Sequence, residues 1–173
     1  AATDALTGLA SRRVLEGRLA QEIERSKRSS DRFAVLFLDL DRLKQINDQY
    51  GHAAGDEALR AVAAEIKAAI RLTDLAAKYG GDEFVVILAR TDLPGATRVA
   101  EALRAGVERV GQRLGYGQGS VTVSIGIAEY DPVAALKQVQ SRLQIIEETA
   151  NILDCEPLPR ALSPIVYDPK SKR

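Results

Sequence analysis

Residues 32–41, RFAVLFLDLD, constrain the fold more than any other stretch of this 173-residue chain. Side chains alternate along an extended strand, so Phe33, Val35 and Phe37 share one face while Ala34, Leu36 and Leu38 share the other. Both faces are apolar. Such a strand must be covered on each side and flanked by partners, which makes it the centre of a sheet rather than an edge. It ends in acids: Asp39 closes the apolar run, and Asp41 shares its face only if the strand continues that far.

The flanking segments supply the covering layers. SRRVLEGRLAQEIERSKRSS carries Val14, Leu15, Leu19 and Ile23 at helical spacing, with Ser11 in position to cap it. RLKQINDQYGH predicts a short helix stopped by Gly51, and GDEALRAVAAEIKAAIR a longer one that Asp56 would cap. LAAKY and EFVVIL read as two strands around a Gly80-Gly81 turn. LPGATRVAEALRAGVERV, with Pro94 near its start, is a further helix, and GYGQGS is a turn before the strand VTVSIGIAEY. VAALKQVQSRLQIIEETANIL predicts a last helix and SPIVYDP an edge strand, with PKSKR as loose tail. The order is mixed α/β, in the α+β sense, compatible with a βαββαβ core around one hairpin.

Composition narrows the function classes. Lys plus Arg and Asp plus Glu balance at 24 each, so no nucleic-acid-binding surface is suggested. An anionic ligand must then be held by local cations, backbone amides or metal. With 46% hydrophobic and 28% charged residues the chain reads as one globular domain, expected over 1–168 with 169–173 as tail. Cys155 is the single cysteine, which excludes an intrachain disulfide and predicts a reducing, cytoplasmic setting. No run is long and apolar enough to span a bilayer and no signal peptide is present, so no membrane contact is expected of this stretch. Methionine is absent, position 1 included. That predicts a piece of a longer protein, with a sensor or regulatory domain, or a membrane anchor, elsewhere in the parent chain. There is no P-loop, and GYGQGS lacks the strand-turn-helix context of a dinucleotide site.

KYGGDEFVVIL poses the chemical question, because adjacent acids, Asp82 and Glu83, stand at the mouth of an apolar strand. If that strand neighbours RFAVLFLDLD, the carboxylates of Asp82 and Asp39 converge at one sheet edge. Hard oxygen ligands without histidine or cysteine suit Mg²⁺, which keeps waters and shares its shell with substrate phosphates. Solvated punctuation at strand ends is the plain alternative for any one acid alone.

Together, DALTGLASRR, FLDLDRLKQINDQYGHAAGD and KYGGDEF, in this order and spacing, closely resemble the GGDEF family of diguanylate cyclases over residues 4–130. The resemblance implies a nucleotidyl-cyclase palm, a mostly antiparallel sheet flanked by helices. It implies one GTP with Mg²⁺ (Mn²⁺ as the alternative) per domain, and a catalytic homodimer that condenses two GTP into cyclic di-GMP and releases pyrophosphate. Carried over by position, Asp39 and Asp82 are the metal carboxylates, with the Leu40 carbonyl as a backbone ligand. Glu83 is the second signature acid, implicated in metal binding or in deprotonating the attacking 3′-hydroxyl, and Lys44 is a phosphate-side lysine. Gly80 and Gly81 let phosphates approach the backbone. Asn47 and Asp56 match the guanine-reading pair, a carboxylate accepting from the ring N–H and exocyclic amine while an amide completes the edge. In RLTD, Arg71 and Asp74 match the inhibitory site for cyclic di-GMP, where arginine grips guanine and phosphate. An i,i+3 ion pair is the plain alternative there. His52, the one histidine, is expected to stabilise its turn by a hydrogen bond, and Phe84 to be core.

The chain departs from the family pattern in three respects. Leu43 replaces phenylalanine, and Lys78 replaces an arginine, keeping the charge but not the bidentate fork. After SIGIAEY the family carries a lysine and an arginine that hold the triphosphate; here Glu147 and Asn151 fall at those positions. The first reading is therefore a diguanylate cyclase domain with weakened activity. The second is a degenerate relative that binds GTP or cyclic di-GMP as a regulatory module. A third, another two-metal phosphoryl-transfer enzyme on the same palm, would need a basic channel that a neutral chain does not advertise.

Overall fold

The computed structural model describes residues 1–134; the expected last helix, edge strand and tail, with Glu147, Asn151 and Cys155, lie outside the described residues. Along the chain run α1 (Arg12–Ser29), β1 (Phe33–Asp41), α2 (Leu43–Tyr50), α3 (His52–Ala69), β2 (Leu75–Lys78), β3 (Glu83–Leu88), α4 (Leu93–Arg113) and β4 (Thr122–Tyr130). This is a βαββαβ order with α1 added in front and the first crossover split into two helices. The strands form one sheet in the order β2-β3-β1-β4. Every pairing is antiparallel.

β1 is central, as its two apolar faces require. One face, with Leu36, Leu38, Leu40, Phe84, Val86, Val123 and Ile125, is covered by apolar residues of α2, α3 and α4. The other, with Phe33, Val35, Val85 and Ile87, is covered by Leu15, Leu19 and Ile23 of α1. Phe84 is fully buried, as expected. Ala58 and Ala63 of α3 and Ala96 and Ala100 of α4 are buried in this core; α4 lies against β4 and β1, and α3 packs against α2 and α4.

The local details depart from expectation in three places. Ser11 does hold the N-cap position of α1, but its hydroxyl makes no capping bond and is buried without a partner. α3 begins at His52, not at Asp56, so Asp56 sits exposed inside the helix and caps nothing. The reason is Gly51: its φ of 89°, disfavoured for side-chain-bearing residues, closes α2 and opens α3 at one residue. The His52 side chain is exposed and makes no hydrogen bond to another described residue, so the turn is set by Gly51 instead.

Among the described residues no helix is long and apolar enough to cross a membrane.

Candidate active site

The sheet register brings the signature acids together. Asp39, near the end of β1, pairs directly with Glu83 on β3 and with Ser124 on β4. The Leu40 N–H donates to the Asp82 carbonyl at 2.9 Å, fixing Asp82 one step beyond that pair. Asp39 and Asp82 thus meet at the carboxyl end of β1, as the neighbouring-strand argument expects. They line a concavity of about 570 Å³ with Leu40, Asp41, Arg42, Leu43, Lys44 and Thr122. The strand continues through Asp41, so Asp41 does share the face of Asp39. Its two oxygens accept from the Ser124 hydroxyl at 2.7 Å and the Thr122 hydroxyl at 2.8 Å, which ties it to β4.

The acidic groups in this concavity are three carboxylates, those of Asp39, Asp41 and Asp82, with Leu40 between the first two, and its lining contains neither histidine nor cysteine. Among the described residues no three His, Cys, Asp or Glu side chains converge tightly enough to enclose an ion by themselves. An open oxygen set of this kind fits Mg²⁺, which retains waters and takes phosphate oxygens, and does not fit a closed structural site.

The other expected residues are distributed around this centre. Lys44, in the first turn of α2, is exposed and lines the concavity. Glu83, Gly80 and Gly81 do not line it. The Glu83 carboxylate folds back over Gly80, its Oε2 lying 2.2 Å from where a Cβ on residue 80 would stand, while the space beside Gly81 is open. Lys78 does not reach the concavity either. Its ammonium donates to the carbonyls of Gly80 and Gly81 and lies 5.0 Å from the Phe84 ring centroid, clipping the turn. Burial lowers its pKa from the ordinary lysine value, against the opposing pull of Asp4, Asp82 and Glu83.

Asn47 lies in α2 and Asp56 in α3, on either side of Gly51. The Asn47 carboxamide lies against Gly55, the residue before Asp56, and its Oδ1 is buried without a hydrogen-bond partner.

RLTD forms a second locus, away from this concavity. Arg71 and Asp74 do not form a side-chain ion pair. Instead the Asp74 carboxylate accepts the Arg71 backbone N–H at 2.9 Å and the Ala89 N–H at 3.0 Å, pinning the loop to the end of β3. Arg71 lines an open concavity of about 510 Å³ together with Arg32, Arg90 and Arg98. Arg32 is paired with Asp131 at 2.9 Å, and Arg90 holds a φ of 48°, a conformation rare outside glycine.

Sequence reasoning missed Arg42, Arg90 and Arg98. Two of them had a signal. A hairpin pairing Leu75 with Ile87 returns the chain after β3 to the RLTD loop, which places Arg90 and the start of α4 beside Arg71. Arg42 had none, because its left-handed φ of 59° and its bond to the Gly119 carbonyl at 3.0 Å are tertiary facts.

The chain matches the family described as "Diguanylate cyclase, GGDEF domain" over residues 1–150. It is 41% identical over 130 residues to the response regulator PleD of Caulobacter vibrioides, covering 74% of this chain and 29% of that protein. It is 39% identical over 131 residues to the diguanylate cyclase DgcP of Pseudomonas aeruginosa, covering 76% of this chain and 20% of that one. The chain thus spans less than a third of the length of these relatives. Among solved structures, the GGDEF domain of DgcB from Caulobacter crescentus, in complex with cyclic di-GMP, superposes with a TM-score of 0.72 at 30% identity, covering 90% of this chain and 89% of that one. The diguanylate cyclase SiaD of Pseudomonas aeruginosa, in complex with its activator SiaC, superposes with a TM-score of 0.73 at 35% identity, covering 92% and 57%. A palm-type antiparallel sheet, the signature hairpin set beside the central strand, and these likenesses agree: the chain belongs to the GGDEF family of diguanylate cyclase domains.

Proposed function

We propose that this domain condenses two GTP into cyclic di-GMP, with release of pyrophosphate. The observation that carries the reading is the concavity that Asp39, Leu40 and Asp82 line together with Lys44. Asp39 and Asp82 would hold Mg²⁺, or Mn²⁺ in its place. Such an ion, when bound, supplies neutralisation of phosphate charge and activation of the attacking hydroxyl. Lys44 offers a mobile cation to the phosphates, and Arg42, pinned by Gly119, a fixed one at the same mouth. Asn47 and Asp56 read the guanine edge. Glu83, opposite Asp39, acts as a further ligand or as base for the 3′-hydroxyl, and Gly81 leaves open space beside the turn.

Because one domain presents one such centre, the product requires two domains face to face. The working enzyme is then a homodimer, cytoplasmic, and governed by a sensor or regulatory domain of the parent protein. Arg71 anchors product at a separate inhibitory site, with Arg90 and Arg98 as additional cations. Asp74 holds the loop in place rather than gripping ligand.

Glu147 and Asn151, standing where the resemblance implies a lysine and an arginine, favour a second reading, a module that binds GTP or cyclic di-GMP without turnover. One experiment separates them. Concentrated protein is incubated with GTP and Mg²⁺ and analysed for cyclic di-GMP. Accumulation supports the cyclase; complete absence of product, with measurable GTP binding and dimerisation, hands the case to the module.

A further inference from the structure

Gly55 lies in the second turn of α3, buried, and its backbone makes no demand for glycine: unlike Gly51, it does not hold a left-handed φ. A glycine inside a helix costs roughly 0.5–1 kcal/mol relative to alanine. What the position does demand is space. A Cβ on residue 55 would stand 1.9 Å from Asn47 Oδ1 and 2.9 Å from Asn47 Cγ, distances no real contact reaches, and 3.2 Å from Leu43 Cδ1. The space is filled by the Asn47 carboxamide, and the filling carries its own penalty. Asn47 Oδ1 is buried there without a hydrogen-bond partner, which ordinarily destabilises a fold. A helix weakened by glycine and a buried unpaired acceptor therefore coincide at one contact. Packing alone explains neither, since alanine at 55 and an apolar residue at 47 would remove both penalties.

We infer that Gly55 is a positioning residue for base recognition. By lacking a Cβ it lets the Asn47 carboxamide lie against α3 at the residue before Asp56, and so sets where the amide meets the purine edge. The inference rests on the proposed reading of Asn47 as a guanine contact. The atoms that a methyl group at 55 would meet first are the end of a short side chain. The methyl is therefore accommodated by rotating Asn47 out of its place, leaving the helices packed.

The test uses the full chain with Mg²⁺ and measures GTP and ATP binding by calorimetry, with melting curves, for Gly55→Ala, Asn47→Ala and the double variant. Gly55→Ala should fold and lose about tenfold in its preference for GTP, the equivalent of one hydrogen bond to the base. The double variant should lose no more than Asn47→Ala alone, because both substitutions remove the same contact. If Gly55→Ala keeps the preference while Asn47→Ala loses it, the positioning role is wrong and the reading of Asn47 stands. If Asn47→Ala also keeps it, or the unaltered chain binds no GTP, that reading fails and takes the inference with it. Should Gly55→Ala fail to fold, the double variant decides: recovery shows that the carboxamide occupies the space, and continued failure overturns the inference.

Discussion

Asp39 stands directly opposite Glu83 across the β1–β3 ladder, on the same face of the sheet. Like charges in direct cross-strand opposition are destabilising, by an amount of the order of 0.2–1 kcal/mol. Their pairing at the end of a central strand makes sense if a cation stands nearby.

Asp39→Asn removes one of those charges and preserves the shape. The variant should fold and should lose turnover. Mg²⁺ should raise the melting temperature of the unaltered protein and leave that of the variant in place. Asp82→Ala should lose turnover in the same way with its fold intact. Full activity of either variant at limiting Mg²⁺ would remove that residue from the metal site.

Asp56 is exposed within α3 and caps nothing, so Asp56→Ala should shift stability by no more than about 0.5 kcal/mol. Its GTP affinity should nevertheless fall, by about 1–3 kcal/mol, while ATP affinity barely changes. Asn47→Ala should do the same. Calorimetry that finds GTP and ATP discriminated as before in both variants would place base reading elsewhere.

Three arginines whose guanidinium groups have no partner among the described residues, Arg71, Arg90 and Arg98, line one concavity with the paired Arg32. Arg71→Ala should lower cyclic di-GMP affinity at least tenfold, about 1.4 kcal/mol, and raise the product plateau of the active enzyme. Arg90→Ala and Arg98→Ala should lower it by smaller amounts. Asp74→Ala should lower it indirectly and also lower the melting temperature, because two backbone N–H groups lose their acceptor. Product binding unchanged in Arg71→Ala would reduce RLTD to a surface loop.

How much of this was legible in the sequence follows from the range of the forces involved. The centrality of β1 was legible because alternation is local and both faces of RFAVLFLDLD are apolar. The hairpin and its glycines were legible for the same reason, and from strand adjacency the meeting of Asp39 with Asp82 followed. The start of α3 was misread because Asp56 has the chemistry of a cap, while Gly51, read only as a stop, serves both helices. The engagement of Asp41 by Thr122 and Ser124, and of Lys78 by the turn carbonyls, depends on partners that no local pattern announces.

Lys78 gives the domain an alkaline signature. Its pKa in the folded chain lies below the ordinary 10.5, burial being the largest cause. Between the lowered value and 10.5 the unfolded chain holds a proton that the folded chain has released. Stability contributed by this group therefore rises with pH through that window and is flat below it. Urea midpoints across the alkaline range should show the rise in the unaltered protein and less of it in Lys78→Met. Identical slopes in the two proteins would show that Lys78 titrates as in the unfolded chain.

Glu147 lies outside the described residues, and its charge is testable all the same. A carboxylate in place of a phosphate-contacting lysine turns attraction into repulsion, about 4 kcal/mol for unit charges about 4 Å apart at intermediate screening. Glu147→Lys should raise GTP affinity and turnover. An unchanged affinity would put that side chain on a solvent face and leave phosphate binding to Lys44 and Arg42.

Asn47 and Asp56, the proposed base readers, flank Gly51 within one helix-turn-helix segment, whereas Asp39 and Asp82 meet only after distant strands have paired. A recognition element assembled from near neighbours closes short loops and forms early; one assembled across a sheet carries a larger loop-closure entropy and forms with the whole domain. Substitutions in the strands can therefore damage the proposed metal site and leave the proposed base readers standing. A lineage that loses turnover in this way keeps a nucleotide receptor, which is how a sensor can descend from an enzyme.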